Sequence, residues 1–386
     1  MARQHGRIRL GMVGGGQGAF IGAVHRIAAR MDDQYELVAG ALASDLDRAH
    51  ASAAALHIAP ERSYATYADM AEAEAARPDG IEAVAIVTPN HLHHGPAKAF
   101  LARNIHVICD KPLTHRLEDA LDLEQAVRQS RALFALTHNY TGYPMVRQAR
   151  AMVAEGAIGT IRVVQVEYPQ EWLTTRLEAT GQKQAEWRTD PARSGAAGCV
   201  GDIGTHAFNL AEFVTGLQVE RLAAELTRFV PGRELDDNAH MLLRFAGGAR
   251  GMLWSSQVAP GNENGLRLRV YGERAGLEWA QEQPNLLLHS PFGEPPRMLR
   301  RGGAGSLPVA GHATRIPAGH PEGYLEAFAQ LYRDLAEQIL ARANGRAPDP
   351  ASLSVPGIEA GLRGMRFIDA AVRSSAADGA WTALAG

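Results

Sequence analysis

The chain begins with a short apolar run, Arg7 to Val13, which ends in glycines and gives way to a longer stretch of mixed character. This unit recurs through the first third. Further apolar runs fall at Tyr35 to Leu42, Ala83 to Thr88, His106 to Cys109 and Leu133 to Leu136. Alanine-rich segments with apolar positions at helical spacing lie between them, as at Leu46 to Leu56 and Pro96 to Arg103. Short apolar runs alternating with amphipathic helices predict βαβ units: a parallel sheet with helices on both faces.

After about Gly142 the pattern changes. Longer β-rich runs appear at Ile161 to Tyr168, Glu220 to Val230, Asn238 to Phe245, Ala249 to Gln257 and Gly265 to Tyr271. Their spacing predicts antiparallel hairpins, with Phe245-Ala-Gly-Gly-Ala249 as one turn. The segment Pro284 to His320 is rich in Pro and Gly and reads as surface loops. A helix is expected from Glu322 to about Asn344, closed by Gly345, and a last one from about Gly357 to Ser374. The expected organisation is an α/β domain over residues 1–140, then an α+β domain over residues 141–386. The second should carry a large, open, mostly antiparallel sheet, and the final helices are candidates to pack back on the first.

Composition narrows the function classes. The 386 residues suffice for two domains with cores of their own. Apolar residues at 46% and charged residues at 21% are ordinary for a water-soluble globular chain. A formal net charge of -3 argues against a nucleic-acid or acidic-membrane binder, which needs concentrated basic charge. The two cysteines, Cys109 and Cys199, lie far apart, so neither a disulfide framework nor a cysteine zinc site follows. The opening Met1-Ala-Arg-Gln-His-Gly-Arg leads into an apolar stretch too short and glycine-broken for an export signal, and no later stretch approaches a membrane span. The expectation is a cytoplasmic protein.

The strongest local signal is Gly11-Met-Val-Gly-Gly-Gly-Gln-Gly-Ala-Phe-Ile-Gly22, placed between the first strand and a helix. Within it Gly14-x-Gly16-x-x-Ala19 fits a dinucleotide fingerprint. The first glycine permits a tight turn, the second lets backbone approach a pyrophosphate, and the small third position lets helix and strand pack closely. Gly18 and Phe20 belong to the same loop. A ribose-binding carboxylate is expected near the end of the second strand, where Ser44 and Asp45 are the candidates. No Arg stands immediately beside them to favour a 2′-phosphate, which points to NAD and leaves NADP open.

Two further strand ends carry Val87-Thr-Pro-Asn-His91 and Val107-Ile-Cys-Asp-Lys-Pro112. Ligands of an open parallel sheet bind beyond the carboxyl ends of its strands. Thr88, Asn90, His91, Asp110, Lys111 and, past the last strand, Asn139 are therefore expected beside the cofactor. Lys111 is a candidate proton donor or acceptor; a surface lysine at a strand end is the plainer alternative. Farther on, Gly198-Cys-Val-Gly-Asp-Ile-Gly-Thr-His206 opens a helix that places Asp202 and His206 one turn apart, with Gly216 as its end. A carboxylate there can fix an imidazole tautomer or bind a hydroxyl, and an imidazole titrates near neutral pH. An N-capping Asp beside a core His would use the same residues.

The glycine loop, Thr88-Pro-Asn-His, Asp110-Lys-Pro and Gly201-Asp-Ile-Gly-Thr-His206 stand in the order and rough spacing of the Gfo/Idh/MocA family, which the chain resembles over nearly its whole length. The resemblance implies a Rossmann domain followed by the α+β domain, and it implies an NAD-dependent oxidoreductase acting on CH–OH groups. It assigns catalysis to Lys111, Asp202 and His206, with Asp110 standing where the family usually has Glu. Trp172-Leu-Thr-Thr-Arg-Leu-Glu, Lys183-Gln-Ala-Glu-Trp-Arg-Thr-Asp-Pro191 and His320-Pro-Glu-Gly-Tyr324 resemble a branch that includes levoglucosan and scyllo-inositol (L-glucose) dehydrogenases. That branch implies oxidation of a secondary ring hydroxyl, such as C3 of a pyranose or anhydrosugar, or a cyclitol carbon. Lys111, Tyr140, Trp187, Arg188, Asp202, His206 and His320 are then the expected substrate contacts, although Trp187 and Arg188 are also candidates to touch the nicotinamide. The resemblance leaves Lys111 and His206 both open as the base. It also implies a homodimer or homotetramer.

Two other readings stay in view. One is a sugar- or NAD-sensing regulator, against which the joint presence of Lys111, Asp202 and His206 counts. The other is an NAD-dependent glycosidase of the same family, whose members are often exported. His91-Leu-His-His94 is histidine-rich and Asp202 to His206 has metal-ligand spacing. The cofactor already accounts for that strand end, so no metal is expected.

Overall fold

The computed structural model describes residues 6–384. The opening Met1–His5, on which the expectation about an export signal partly rests, lies outside them. The chain divides into two compact units. The first takes residues up to Thr114, Glu118–Gly142 and Tyr324–Leu362; the second takes His115–Leu117, Tyr143–Gly323 and the chain from Arg363 onward.

In the first unit β1 (Ile8–Gly14), β2 (Tyr35–Ala41), β3 (Ala83–Val87), β4 (His106–Cys109) and β5 (Phe134–Leu136) form a five-stranded sheet in the order β2-β1-β3-β4-β5. Every pairing is parallel. The sheet is covered on both faces, so its strands are apolar almost throughout, and β3 is buried at every residue. Ile8, Leu10 and Met12 alternate along β1 to face one core. There they join Val24 and Ala28 of the helix Phe20–Met31 and Phe328, Tyr332 and Leu335 of the helix Tyr324–Ala343. On the opposite face, Gly11 leaves room for Met70 of the helix Tyr67–Ala76. All five strands run the same way, so β1, β3, β4 and β5 end on one edge.

The second unit is built on a nine-stranded sheet. Its strands are β6 (Ile161–Pro169), β7 (Val219–Thr227), β8 (Asn238–Phe245), β9 (Arg250–Ser256), β10 (Arg267–Gly272), β11 (Ala275–Ala280), β12 (Leu286–Pro291), β13 (Arg297–Arg300) and β14 (Thr382–Ala383). Their order is β13-β12-β11-β10-β6-β9-β8-β7-β14. All neighbours are antiparallel except β6 and β9. The turn at Phe245–Ala249 closes β8 onto β9, with Gly247 at φ 78°. One sheet face carries Val164, Val166, Leu243, Leu253 and Val270, all buried; the helix Thr205–Thr215 packs on β6, β9 and β10, and the helix Pro144–Ala154 on β11 and β12.

The segment Pro284–His320 departs from the expectation of surface loops. It contains β12, β13 and a short helix, Pro308–His312. β13 is the edge strand and β12 its neighbour, and only Leu287 among their residues is buried, so their sequence lacks the alternation that marks a half-buried strand. Arg301, buried in the same segment, holds it together by bonding Asn285, Glu322 and the carbonyl of Ile316. Among the described residues no helix is long and apolar enough to cross a membrane.

Candidate functional site

One candidate site lies at the carboxyl edge of the parallel sheet. β1 runs into Gly14 and Gly15, at φ 76° and 74°, and Gly18 has φ 78°. These are conformations that a side chain disfavours. Gly16 is required for a different reason: a Cβ there would stand 2.8 Å from both the Leu42 carbonyl oxygen and Ser52 Oγ. Its own N–H donates to Leu42, and the Gln17 N–H donates to Ser52 Oγ. Ala19, the expected third fingerprint position, is the N-cap residue of the helix Phe20–Met31, and Phe20 at its first position is exposed. The close strand–helix approach falls instead at Gly22, whose Cβ would meet Gly15 Cα at 2.4 Å. The loop between first and third glycines is thus longer than the plain fingerprint, and the spacing Gly15 to Gly22 was its only trace in the sequence.

After β2, Ser44 and Asp45 are exposed, and Asp45 caps the helix Leu46–Ala55 by accepting from the Arg48 N–H at 2.8 Å. After β3, Thr88 Oγ1 donates to the Leu92 carbonyl, Asn90 is buried and His91 is half-buried. Two histidines of that segment have clear partners. His93 is buried, with Nδ1 2.8 Å from the Pro112 carbonyl and Nε2 2.9 Å from that of Thr88. It therefore ties the Thr88 loop to the Lys111 loop. His94 meets Asp122, which Lys98 also contacts.

Asp110 follows β4. Its Oδ1 accepts from the Lys111 N–H at 2.9 Å and from Thr137 Oγ1 at 2.7 Å, so the carboxylate bridges the ends of β4 and β5. His25, His93 and His138 surround it in the buried interior. Burial pushes His25 down to about 4 although Asp110 opposes the shift. Burial, aided by the charge of Lys111, pushes His138 down to about 3. His93 is lowered by burial too, against the pull of Asp110 and the two carbonyls. Asp110 and Lys111 thus sit among neutral imidazoles at neutral pH. Past β5, Asn139 and Tyr140 are buried in one short turn, Asn139–Gly142, and Asn139 Nδ2 has no hydrogen-bond partner among the described residues.

These features fit a dinucleotide. The left-handed glycines and the cradle that a Cβ at Gly16 would fill bring backbone against a pyrophosphate. The helix Phe20–Met31 presents its first amides beside it. Asn139 Nδ2 is a buried donor waiting for an acceptor.

A second candidate site lies within the other unit. Cys199 to Thr215 is one continuous helical run whose first part, Val200–Gly204, is a π-turn before the α-helix Thr205–Thr215. Such turns arise where one extra residue is accommodated, often at functional positions. Asp202 sits in the π-turn and His206 in the first α-turn; Gly216, at φ 68°, ends the helix. Asp202 Oδ2 accepts from Gln257 Nε2 at 2.9 Å and from Arg188 Nε at 3.2 Å. Arg188 lies over the Trp187 ring, its guanidinium carbon 4.2 Å from the centroid. The His206 ring is buried, 6.3 Å from that of Tyr168. His320, in contrast, is an exposed residue whose carbonyl accepts from Arg301.

The start of this helical run is held by Asp236, buried next to the equally buried Asp237. Asp236 accepts from the N–H groups of Gly198 at 2.7 Å and Val200 at 2.9 Å, and its carbonyl accepts from Cys199. Burial outweighs these bonds and raises the Asp236 carboxyl to about 6. Asp237 accepts from the N–H groups of Phe229 and Val230 and from the buried guanidinium of Arg233. Neither acid was singled out in the sequence, where an Asp-Asp pair before a strand reads as a solvated turn.

Comparison with known proteins bears on both units. Residues 8–149 match the family model for the oxidoreductase family with an NAD-binding Rossmann fold, and residues 146–278 match that for the GFO/IDH/MocA C-terminal domain. An uncharacterized oxidoreductase of Bacillus subtilis, YfiI, is 34% identical over 97% of this chain and 96% of its own. The chain belongs to the Gfo/Idh/MocA family. It is an NAD-binding oxidoreductase. Among solved structures, an oxidoreductase from Sinorhizobium meliloti is 56% identical with a TM-score of 0.89, covering 98% of this chain and 99% of that one. An inositol dehydrogenase homologue from Azotobacter vinelandii complexed with NAD+ is 38% identical with a TM-score of 0.93, covering 98% of this chain and 97% of that one. The same homologue has been solved with NADH and myo-inositol. A levoglucosan dehydrogenase of Pseudarthrobacter phenanthrenivorans is 27% identical over 72% of this chain and 74% of its own.

Proposed function

We propose that the protein oxidises a secondary ring hydroxyl of a cyclitol or sugar to the ketone, with C3 of a pyranose or anhydrosugar as the sugar position. The observation that carries this reading is the Asp202 cluster: a carboxylate braced by Arg188 and Gln257, with a buried imidazole one turn along the same helix. A polyol substrate needs such an acceptor for a neighbouring hydroxyl, and the reacting hydroxyl needs a base. The similarity to an inositol dehydrogenase homologue and to a levoglucosan dehydrogenase supports the substrate class.

NAD held at the glycine loop supplies the hydride acceptor, C4 of its nicotinamide. Gly14, Gly16 and Gly18 admit its phosphates, Ser44 and Asp45 serve its ribose, and Thr88, Asn90, His91 and Asn139 complete its contacts. Asp110 fixes the Lys111 backbone through its N–H. Asp202 accepts from a substrate hydroxyl, and the Nζ of Lys111 or a ring nitrogen of His206 removes the proton of the reacting hydroxyl as the carbinol hydrogen leaves as hydride.

The test is NADH formation followed by absorbance with levoglucosan, glucose epimers, glycosides and inositols, with NADP run in parallel. We expect oxidation of one of these groups with NAD. Lys111→Ala and His206→Ala should each lower kcat/KM, by about 100- to 10,000-fold for the one that acts as base. NAD binding without oxidation of any of them would overturn the reading.

A second copy of the chain is the proposed occupant of the outer face of the nine-stranded sheet. Val163, Leu242, Met252 and Tyr271 are exposed there, and grouped exposed apolar side chains of this kind mark interaction surfaces. Arg267 and Arg269 meet Glu167 beside them, so both signs of charge are present for self-complementary pairing. Light scattering should show a dimer or tetramer, shifted toward monomer by Leu242→Lys with Met252→Lys.

A further inference from the structure

We infer that Gln257 is a positioning residue that fixes the orientation of the Asp202 carboxylate, an inference that rests on the role proposed for Asp202. The side chains that meet Asp202 differ in character. Arg188 sits at the end of a six-residue helix, Lys183–Arg188, partly open to solvent and stacked on Trp187. Its guanidinium also donates to Gln184 of that helix, so it is carried by a short surface element rather than by the sheet. Gln257, in contrast, is buried.

Its backbone is held at both groups. The Gln257 N–H donates to the Asp237 carbonyl at 2.8 Å, and its own carbonyl accepts from Leu173 at 3.0 Å. It directly follows β9, so its Cα is set by the sheet. From that rigid base Nε2 reaches Oδ2 of Asp202 at 2.9 Å. Asp237 is in turn fixed by Arg233, and its neighbour Asp236 grips the amides at the start of the π-turn. One buried pair of acids therefore sets both the backbone that carries Asp202 and the side chain that meets it.

The geometry decides what the amide does. Gln257 and Arg188 converge on the same oxygen, Oδ2, and a carboxylate held at one oxygen by a rigid donor has its plane and its second oxygen directed. A neutral amide achieves this without a second buried charge, which glutamate or lysine at this position would introduce. Misplacing an interacting group by about 1 Å can cost about 100-fold in rate, and supporting residues of this kind are typically worth about 10- to 100-fold.

The experiment uses the full chain with NAD and its best polyol, measuring kcat and KM against pH for the wild type, Gln257→Met and Gln257→Glu, with melting curves for each. Gln257→Met keeps the volume and removes the donor. We expect its kcat/KM to fall about 10- to 100-fold with NAD affinity unchanged. Gln257→Glu sets two carboxylates together. The pair bonds only while it shares one proton, so activity should survive on the acid side and be lost toward alkaline pH, where the wild type keeps it. That change of profile is one a merely structural residue would not produce. Rates within about threefold of wild type and an unchanged profile in both variants would overturn the inference and leave the proposed function standing. If the wild type oxidises no polyol, the function falls and melting alone decides on the clamp. The cycle Gln257→Met, Asp202→Asn and the double variant should then be non-additive by about 2 °C or more; additivity overturns the clamp.

Discussion

In the first unit the groups proposed to meet the cofactor are mainly backbone, at the ends of parallel strands that all stop on one edge. In the second unit the groups proposed to meet the substrate are side chains, gathered with their supports from the turn before β8, the end of β9, a π-turn and a short helix far apart in the chain. A backbone site is written into consecutive residues: glycines at fixed offsets, a proline, a cap. A side-chain site is written into partners that meet only after folding, as Asp202 meets Gln257 across 55 positions of sequence. The first kind fails when a side chain intrudes. The second fails when a charge or donor is lost.

The largest effect should come from intruding on the backbone site. A Cβ at Gly22 would lie 2.4 Å from Gly15 Cα and 2.6 Å from its carbonyl oxygen, atoms that cannot swing away. Gly22→Val should destabilise the protein by about 3 kcal/mol and abolish measurable NAD binding. Gly18→Ala is the control: no atom lies within 4 Å of its Cβ, but its φ of 78° remains disfavoured. It should cost only about 1 kcal/mol and weaken NAD mildly. Melting curves and NAD titration check both; equal behaviour of the two variants would break the backbone account.

The second unit should show a charge effect instead. Burial raises the Asp236 carboxyl from its ordinary value to about 6. Between the two values the unfolded chain has lost this proton while the folded chain keeps it. Stability from this group is therefore fully present below the unfolded value, falls as pH rises toward 6, and is level above that. Asp236→Asn removes the titration. The stability of the wild type relative to the variant should decline by about 2 to 3 kcal/mol between pH 4 and 7, read from denaturant curves across that range. A difference independent of pH would mean that Asp236 does not titrate there.

The same contrast explains what could be read in the sequence. The strands of the first unit end within a residue or two of where the apolar runs do, because a sheet covered on both faces needs unbroken apolar segments. The helix carrying Asp202 and His206 was legible from spacing, but its π-turn was not, since 200–204 carries no periodicity of its own. β12 and β13 were missed because short strands at the end of the sheet, set among Pro and Gly, bury too little to show alternation. Ala19 matched the fingerprint by spacing, whereas Gly22 makes the close contact, because the loop is longer than the motif assumes. Gln257, Asp236 and Asp237 left no signal at all: their importance lies in what they touch.

The smallest effect tests a residue that belongs to both kinds of site. Asp45 caps the helix Leu46–Ala55 through the Arg48 N–H, and it is also the proposed ribose carboxylate. Asn caps a helix about as well as Asp, so Asp45→Asn should change stability by less than about 0.5 kcal/mol. The charge matters only to the cofactor. A carboxylate accepting from ribose hydroxyls makes stronger bonds than an amide oxygen, and its loss should weaken NAD about tenfold. Removal of the negative charge should also narrow the preference for NAD over NADP, whose 2′-phosphate it repels. NAD titration of the variant reads the first effect and the ratio of the two cofactors' affinities reads the second. If both stay as in the wild type, Asp45 is a helix cap alone, and the ribose is left to Ser44 and the backbone beside it.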